Sequence, residues 1–141
     1  MKRTASALWN GALKDGNGFI STQSGALSDN RYSFTTRFED EKGTNPEELI
    51  AAAHAACFSM ALSAELAKAG FPPNRIRTQA ALEIDNTEGV WRVKAIQLET
   101  SARVAKITSE QFELIAQSAK ATCPVSQLLK TNITLIARLE D

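Results

Sequence analysis

One segment constrains this chain more than any other: Pro46 to Ala69 (PEELIAAAHAACFSMALSAELAKA), with alanine on every face of the helix it must form. Asn45 stands before it as a cap, Pro46 suits the first turn, and Glu48, three residues after the cap, closes a capping box. Nothing interrupts the helix until Gly70, a usual stop, and Pro72-Pro73, which forbid continuation. At ~1.5 Å per residue the helix is about 36 Å long. Leu49, Ile50, Phe58, Met60, Leu62 and Leu66 stand among the alanines, so it is apolar on nearly all sides and is expected to be buried all round. One domain of this size seldom wraps such a helix completely, and small residues permit close helix approach. An obligate homodimer, with the second subunit supplying part of the cover, is the expectation.

Short strand patterns precede the helix at Thr4 to Trp9, Gly18 to Gln23 and Tyr32 to Phe38, separated by Gly, Asn, Ser and Asp, and predict a small antiparallel sheet. After it, Arg75 to Asp85 and Val90 to Val104 alternate apolar and polar residues across the turn-rich link Asp85-Asn86-Thr87-Glu88-Gly89, the pattern of a long β-hairpin. Helical spacing returns from Thr108 to Ala121, with Thr108 and Gln111 in capping-box positions. Cys123-Pro124 breaks that helix, a short one follows through Leu129, and a last strand covers Ile133 to Leu139. There is no internal repeat and no linker, and 141 residues suit one domain, residues 1–141, of the α+β class.

Sixteen basic and sixteen acidic residues cancel without runs of either sign, which speaks against nucleic acid and anionic membranes as partners. The opening MKRTASALWNGALK lacks the apolar run of a signal peptide, and no later stretch is expected to reach the ~18 apolar residues of a membrane span. A cytoplasmic protein is expected, with both cysteines reduced at rest. A bond between them would then be catalytic or sensing rather than structural.

Chemistry has few places to reside. His54 is the single histidine, and no Gly-rich phosphate fingerprint follows any strand. Cys57 falls in the fourth turn of the long helix, beyond reach of the dipole at its start, where apolar surroundings raise a thiol pKa; as a nucleophile it would need a cation brought from elsewhere. Cys123 immediately precedes Pro124 and a short helix, where backbone N–H groups can point at the sulfur, and on placement alone it should be the more acidic thiol and a good leaving group. Each is also readable as a small buried core residue, and on the residues alone that is the commoner outcome for a cysteine placed like Cys57. His54, Cys57 and Cys123 could also serve as three zinc ligands, or His54 as the partner of Cys57 in a dyad.

The stretch from Thr44 to Leu62 (TNPEELIAAAHAACFSMAL) resembles the signature helix of the OsmC/Ohr family of organic hydroperoxide reductases, and Ala121 to Ser126 (ATCPVS) resembles that family's second cysteine segment. Residues 32–43 (YSFTTRFEDEKG) and the closing strand are similar to the OsmC branch. The resemblance implies an OsmC-like fold, with antiparallel sheets packed around a long central buried helix in an intertwined dimer. It implies a thiol peroxidase in which Cys57 attacks the peroxide and Cys123 resolves the resulting sulfenate as a disulfide. By position it also assigns Arg37, in TTRFED, as the missing cation, and Glu47, ten residues before Cys57, as its partner. Ideal helix geometry places Glu47 about 80° around the helix from Cys57 and Glu48 on the opposite face, which favours Glu47. A carboxylate alone would raise the thiol pKa, so its useful work is to hold and aim the guanidinium.

No bound cofactor is implied. The disulfide would be reduced by an external dithiol, and the resemblance points to dihydrolipoyl groups on lipoylated proteins. Phe58, Met60 and neighbouring apolar side chains, from both subunits, are expected to line the tail of an organic hydroperoxide. Two other classes remain open on the residues alone: a non-enzymatic dimeric redox-sensing or binding module using the same cysteines, and a zinc-dependent hydrolase using His54, Cys57 and Cys123.

Overall fold

The computed structural model describes residues 1–141 as two compact units, Met1–Leu49 and Ile50–Asp141. The first holds a three-stranded antiparallel sheet in the order β1-β2-β3, from β1 (Ala5–Asn10), β2 (Asn17–Thr22) and β3 (Asn30–Ser33). The expected third strand is cut short, for Phe34–Phe38 is a helix, α1. Ser33 and Thr36 form a reciprocal capping box: the Ser33 hydroxyl accepts from Thr36 N–H at 3.2 Å and the Thr36 hydroxyl from Ser33 N–H at 2.8 Å. The β-propensity of the Phe-Thr-Thr run loses to these two local bonds. Thr36 also donates to the Thr44 carbonyl at 3.0 Å, tying the loop before the next helix back to α1.

That next helix, α2 (Pro46–Lys68), starts and stops where the sequence signals stand. Asn45 Oδ1 accepts from Glu48 N–H at 2.8 Å. At the far end Gly70, with φ +88°, lets Phe71 N–H reach Leu66 O at 2.9 Å and Gly70 N–H reach Ala67 O at 3.0 Å, which satisfies two terminal carbonyls. One chain supplies only part of the all-round burial expected with a second subunit's help. His54, Phe58, Leu62 and Leu66, four residues apart, are fully buried, while Ala52, Ala56, Met60 and Ala64 stay exposed on another stripe. One expectation needs correcting, because α2, at 23 residues with a mean hydropathy of 1.5 over an 18-residue window, is long and apolar enough to cross a membrane by length and composition. Alanine raises that mean while offering little surface, and the buried stripe belongs to a protein core.

In the second unit β4 (Pro73–Thr87) and β5 (Val90–Val104) form the long hairpin, with registers running from Pro73↔Val104 to Thr87↔Val90. The link is tighter than its composition suggested: only Glu88 (φ +55°) and Gly89 (φ +81°) lie between the strands, a primed two-residue turn that matches strand twist. Helices α3 (Ser109–Thr122) and α4 (Pro124–Leu128) follow, α3 closed by the expected Thr108–Gln111 capping box. They form a crossover that returns the chain as β6 (Asn132–Glu140), parallel to β5. This sheet, in the order β4-β5-β6, is therefore mixed rather than antiparallel as expected, since a helical crossover is the connection a parallel neighbour requires. Phe58, Leu62 and Leu66 pack with Ile96, Leu98, Ala102 and Val104 of β5 and with Phe112, Ala116 and Ala119 of α3. Cys123 belongs to the same core.

Candidate active site

The four residues singled out in the sequence come together as two pairs, one in each unit. In the first, Arg37 lies in the last turn of α1 and Glu47 in the first turn of α2. Arg37 Nε lies 3.1 and 3.2 Å from the two carboxylate oxygens of Glu47 and Nη2 lies 2.8 Å from Oε1, a forked pair that fixes the guanidinium plane. The Glu47 side chain is 16% exposed and that of Arg37 36%, so the carboxylate is the shielded anchor and the guanidinium keeps an open edge. The Phe38 ring lies 4.9 Å from the guanidinium carbon, adding a cation–π contact.

Arg37 also borders a cavity of about 220 Å³ whose walls include Trp9, Tyr32, Phe34 and Phe38. Trp9 and Tyr32 sit 5.2 Å apart by ring centroids and Phe34 and Phe38 5.0 Å, the latter pair one helical turn apart on α1. Here is apolar surface beside a cation, and the sequence reading missed it by drawing α1 as a strand. The side chains expected to line a substrate tail do not do so alike: Phe58 has no exposure and belongs to the core, whereas Met60 is 74% exposed on the outside of α2.

The second pair is Cys57 and Cys123, both free thiols and close enough that each shifts the acidity of the other. Cys57 is half-buried on α2; Cys123, at the junction of α3 and α4 (φ −59°, ψ 121°), is fully buried. Burial pushes the Cys57 thiol up; the Val125 N–H pulls against it and the Cys123 thiol adds to the rise. Burial is also the strongest single influence on Cys123 and raises it, but the Ser126 N–H, the Ser126 hydroxyl, the Cys57 thiol and the Val125 N–H together outweigh it and hold the thiol below its ordinary value. This agrees with the greater acidity expected of Cys123 from its place before Pro124. Access favours the other sulfur, since Cys123 is closed to solvent.

His54 turns Nε2 toward Ser126 Oγ at 2.8 Å, and burial lowers its pKa. It shares no cluster with the cysteines or with carboxylates from which a metal site could be built, so the zinc reading finds no ligand set. Ser126 is the neighbour that sequence reasoning passed over; its position three residues after Cys123, on the first turn of a short helix, was the available signal.

A protein-family model described as OsmC-like protein matches residues 39–138. Peroxiredoxin OsmC of Escherichia coli is 51% identical over 135 residues, covering 96% of this chain and 94% of its own. The crystal structure of the organic hydroperoxide resistance protein OhrB of Bacillus subtilis superimposes with a TM-score of 0.65 at 25% identity, over 97% of this chain and 98% of that one. An OsmC-like protein from Mycoplasma pneumoniae shares the fold with a TM-score of 0.78 at 14% identity, over 100% and 99% of the two chains. With two thirds of its length matched by the family model and half its residues identical to a relative over nearly the whole chain, this protein belongs to the OsmC-like family.

Proposed function

We propose that this protein is a thiol peroxidase that reduces organic hydroperoxides to alcohols through Cys57 and Cys123. The observation that carries the reading is the pair of free thiols close enough to shift each other's acidity, one half-exposed and one buried. Relatives named for peroxiredoxin activity and organic hydroperoxide resistance support the substrate class.

The Cys57 thiolate attacks one peroxide oxygen. The O–O bond breaks, the departing alkoxide takes a proton to leave as alcohol, and Cys57 becomes a sulfenic acid. The Cys123 thiolate then forms the S–S bond as the S–O bond breaks, and hydroxide leaves to become water. An external dithiol reduces the disulfide and is itself oxidised; dihydrolipoyl groups on lipoylated proteins are the proposed donor, with no resident cofactor. Arg37, aimed by Glu47, orients the peroxide and stabilises negative charge, and the aromatic cavity beside it takes the organic tail. A cytoplasmic setting fits thiols that must return to the reduced state after each turnover. We read residues 1–141 as one OsmC-like domain, since solved relatives are covered over nearly their full length.

The expected selectivity is a kcat/KM for cumene hydroperoxide at least about tenfold above that for hydrogen peroxide, because burying an aromatic tail adds transfer free energy of a few kcal/mol. Equal values under a dithiol reductant would remove the cavity from the account. A wild-type protein that consumes neither, yet forms the disulfide slowly, would be a redox-sensing module instead.

The working unit is proposed to be a homodimer, with a second copy covering the exposed stripe Ala52, Ala56, Met60 and Ala64. Sedimentation at micromolar concentration should give twice the 15.3 kDa chain mass, and Met60→Glu should shift the population toward single chains. A wild-type protein sedimenting as a single chain would contradict this assembly.

A further inference from the structure

His54 is the titratable side chain of the second unit's core that the redox steps leave unused. It has no solvent exposure, its Nε2 lies 2.8 Å from Ser126 Oγ, and its Nδ1 is buried without a partner. The contact crosses 72 residues of sequence, so it joins α2 to the first turn of α4. Proton counting sets its direction. A neutral imidazole carries one ring proton and a serine one hydroxyl proton. With the imidazole proton on Nε2, Ser126 Oγ accepts from His54, Nδ1 is left as a bare acceptor, and the serine proton is free for Cys123, whose acidity Ser126 raises. That assignment is also the less costly one, since a buried orphaned N–H is rarer in proteins than an under-used acceptor. Burial lowers the pKa of the ring and so favours its neutral form, with one N–H to donate.

We propose that His54, through its bond to Ser126, fixes the serine hydroxyl on the sulfur of Cys123 and so prepares this thiol for both halves of its cycle. As nucleophile, Cys123 forms the S–S bond to the Cys57 sulfenate while hydroxide departs. As leaving group, it receives the S–S electron pair when the external dithiol bonds to the Cys57 sulfur. In this arrangement Ser126 is the donor to the reacting sulfur, and His54 is a positioning residue acting through it. The proposal rests on the peroxidase reading only for which step Cys123 performs. Cys57 is the one titratable side chain that meets Cys123 directly, and His54 reaches it through Ser126.

The test is thiolate titration by ultraviolet absorbance in a Cys57→Ser background, where Cys123 is the sole thiol. Adding Ser126→Ala should raise the Cys123 pKa by about one unit or more, the effect of losing a hydrogen bond to a charged group. His54→Ala should raise it similarly, while His54→Gln, which keeps an N–H at comparable reach, should stay within about half a unit of the reference. Should His54→Ala fail to fold, Ser126→Ala and Ser126→Thr carry the test alone, with threonine expected to preserve the value. In the protein with both cysteines, Ser126→Ala should slow disulfide formation about threefold at neutral pH, because the loss of thiolate is partly offset by greater nucleophilicity. Oxidation of Cys57 by peroxide should keep its rate. An unshifted pKa in Ser126→Ala, a glutamine at position 54 that behaves like alanine, or equal slowing of both steps would each overturn the proposal. The titration needs no peroxide turnover, so failure of the peroxidase reading and failure of this one are read separately.

Discussion

Cys57→Ser should consume no cumene hydroperoxide above the background of the dithiol, a loss of at least about a thousandfold, the scale on which removing a nucleophile acts. Cys123→Ser should differ in kind rather than degree. It completes one oxidation per chain and stops, because the Cys57 sulfenate forms but has no neighbouring thiol to condense with. The asymmetry follows from burial: the half-exposed sulfur of Cys57 can meet a peroxide, whereas Cys123 lies in the core with Phe58, Ala119 and Leu62. The greater acidity of Cys123 suits it to leave and to attack a neighbouring sulfur, not to meet a solute it cannot reach. A Cys123→Ser protein that is dead from the first equivalent, with Cys57→Ser retaining a single oxidation, would exchange the two roles.

Arg37→Ala should lower kcat/KM for the organic peroxide by about a hundredfold or more, as removal of one preorganised donor to developing charge commonly does. Glu47→Gln leaves the guanidinium in place but breaks the charged fork at 2.8–3.2 Å, and a loss of about tenfold is expected. The double variant should be no worse than Arg37→Ala alone, because Glu47 acts only through Arg37. Lysine at position 37 should not rescue, since it cannot present a planar fork to the carboxylate and a free edge to peroxide together. Additive losses in the double variant would show that Glu47 has work of its own, and an Arg37→Ala enzyme within twofold of wild type would remove the arginine from the mechanism.

Those features decided within a few residues were legible before any coordinates. Asn45, Pro46 and Gly70 delimit α2, Thr108 and Gln111 start α3, and Cys123-Pro124 separates α3 from α4. Where local signals conflicted, the sequence misled: Phe34 to Phe38 has strand-forming side chains, and Ser33 and Thr36 override them with two side-chain-to-backbone bonds. Long-range pairing was out of reach, which is why the parallel placement of β6 beside β5 came as a correction. Within one chain α2 buries the stripe His54, Phe58, Leu62 and Leu66, the part of the expected cover that a single copy supplies.

The site divides along the same line. Greater acidity at Cys123 could be read from its neighbours in sequence, and Arg37 and Glu47 came from family resemblance rather than from spacing. The 2.8 Å contact of His54 with Ser126 and the aromatic walls beside Arg37 depend on tertiary placement that no local pattern records.

The most direct test of the central claim is a peptide map of the reduced wild-type protein after one equivalent of cumene hydroperoxide, with the alcohol product counted in the same sample. The account predicts one cumyl alcohol and one intrachain Cys57–Cys123 disulfide per chain, reversed by a dithiol. Peroxide left unconsumed with both thiols intact would contradict it.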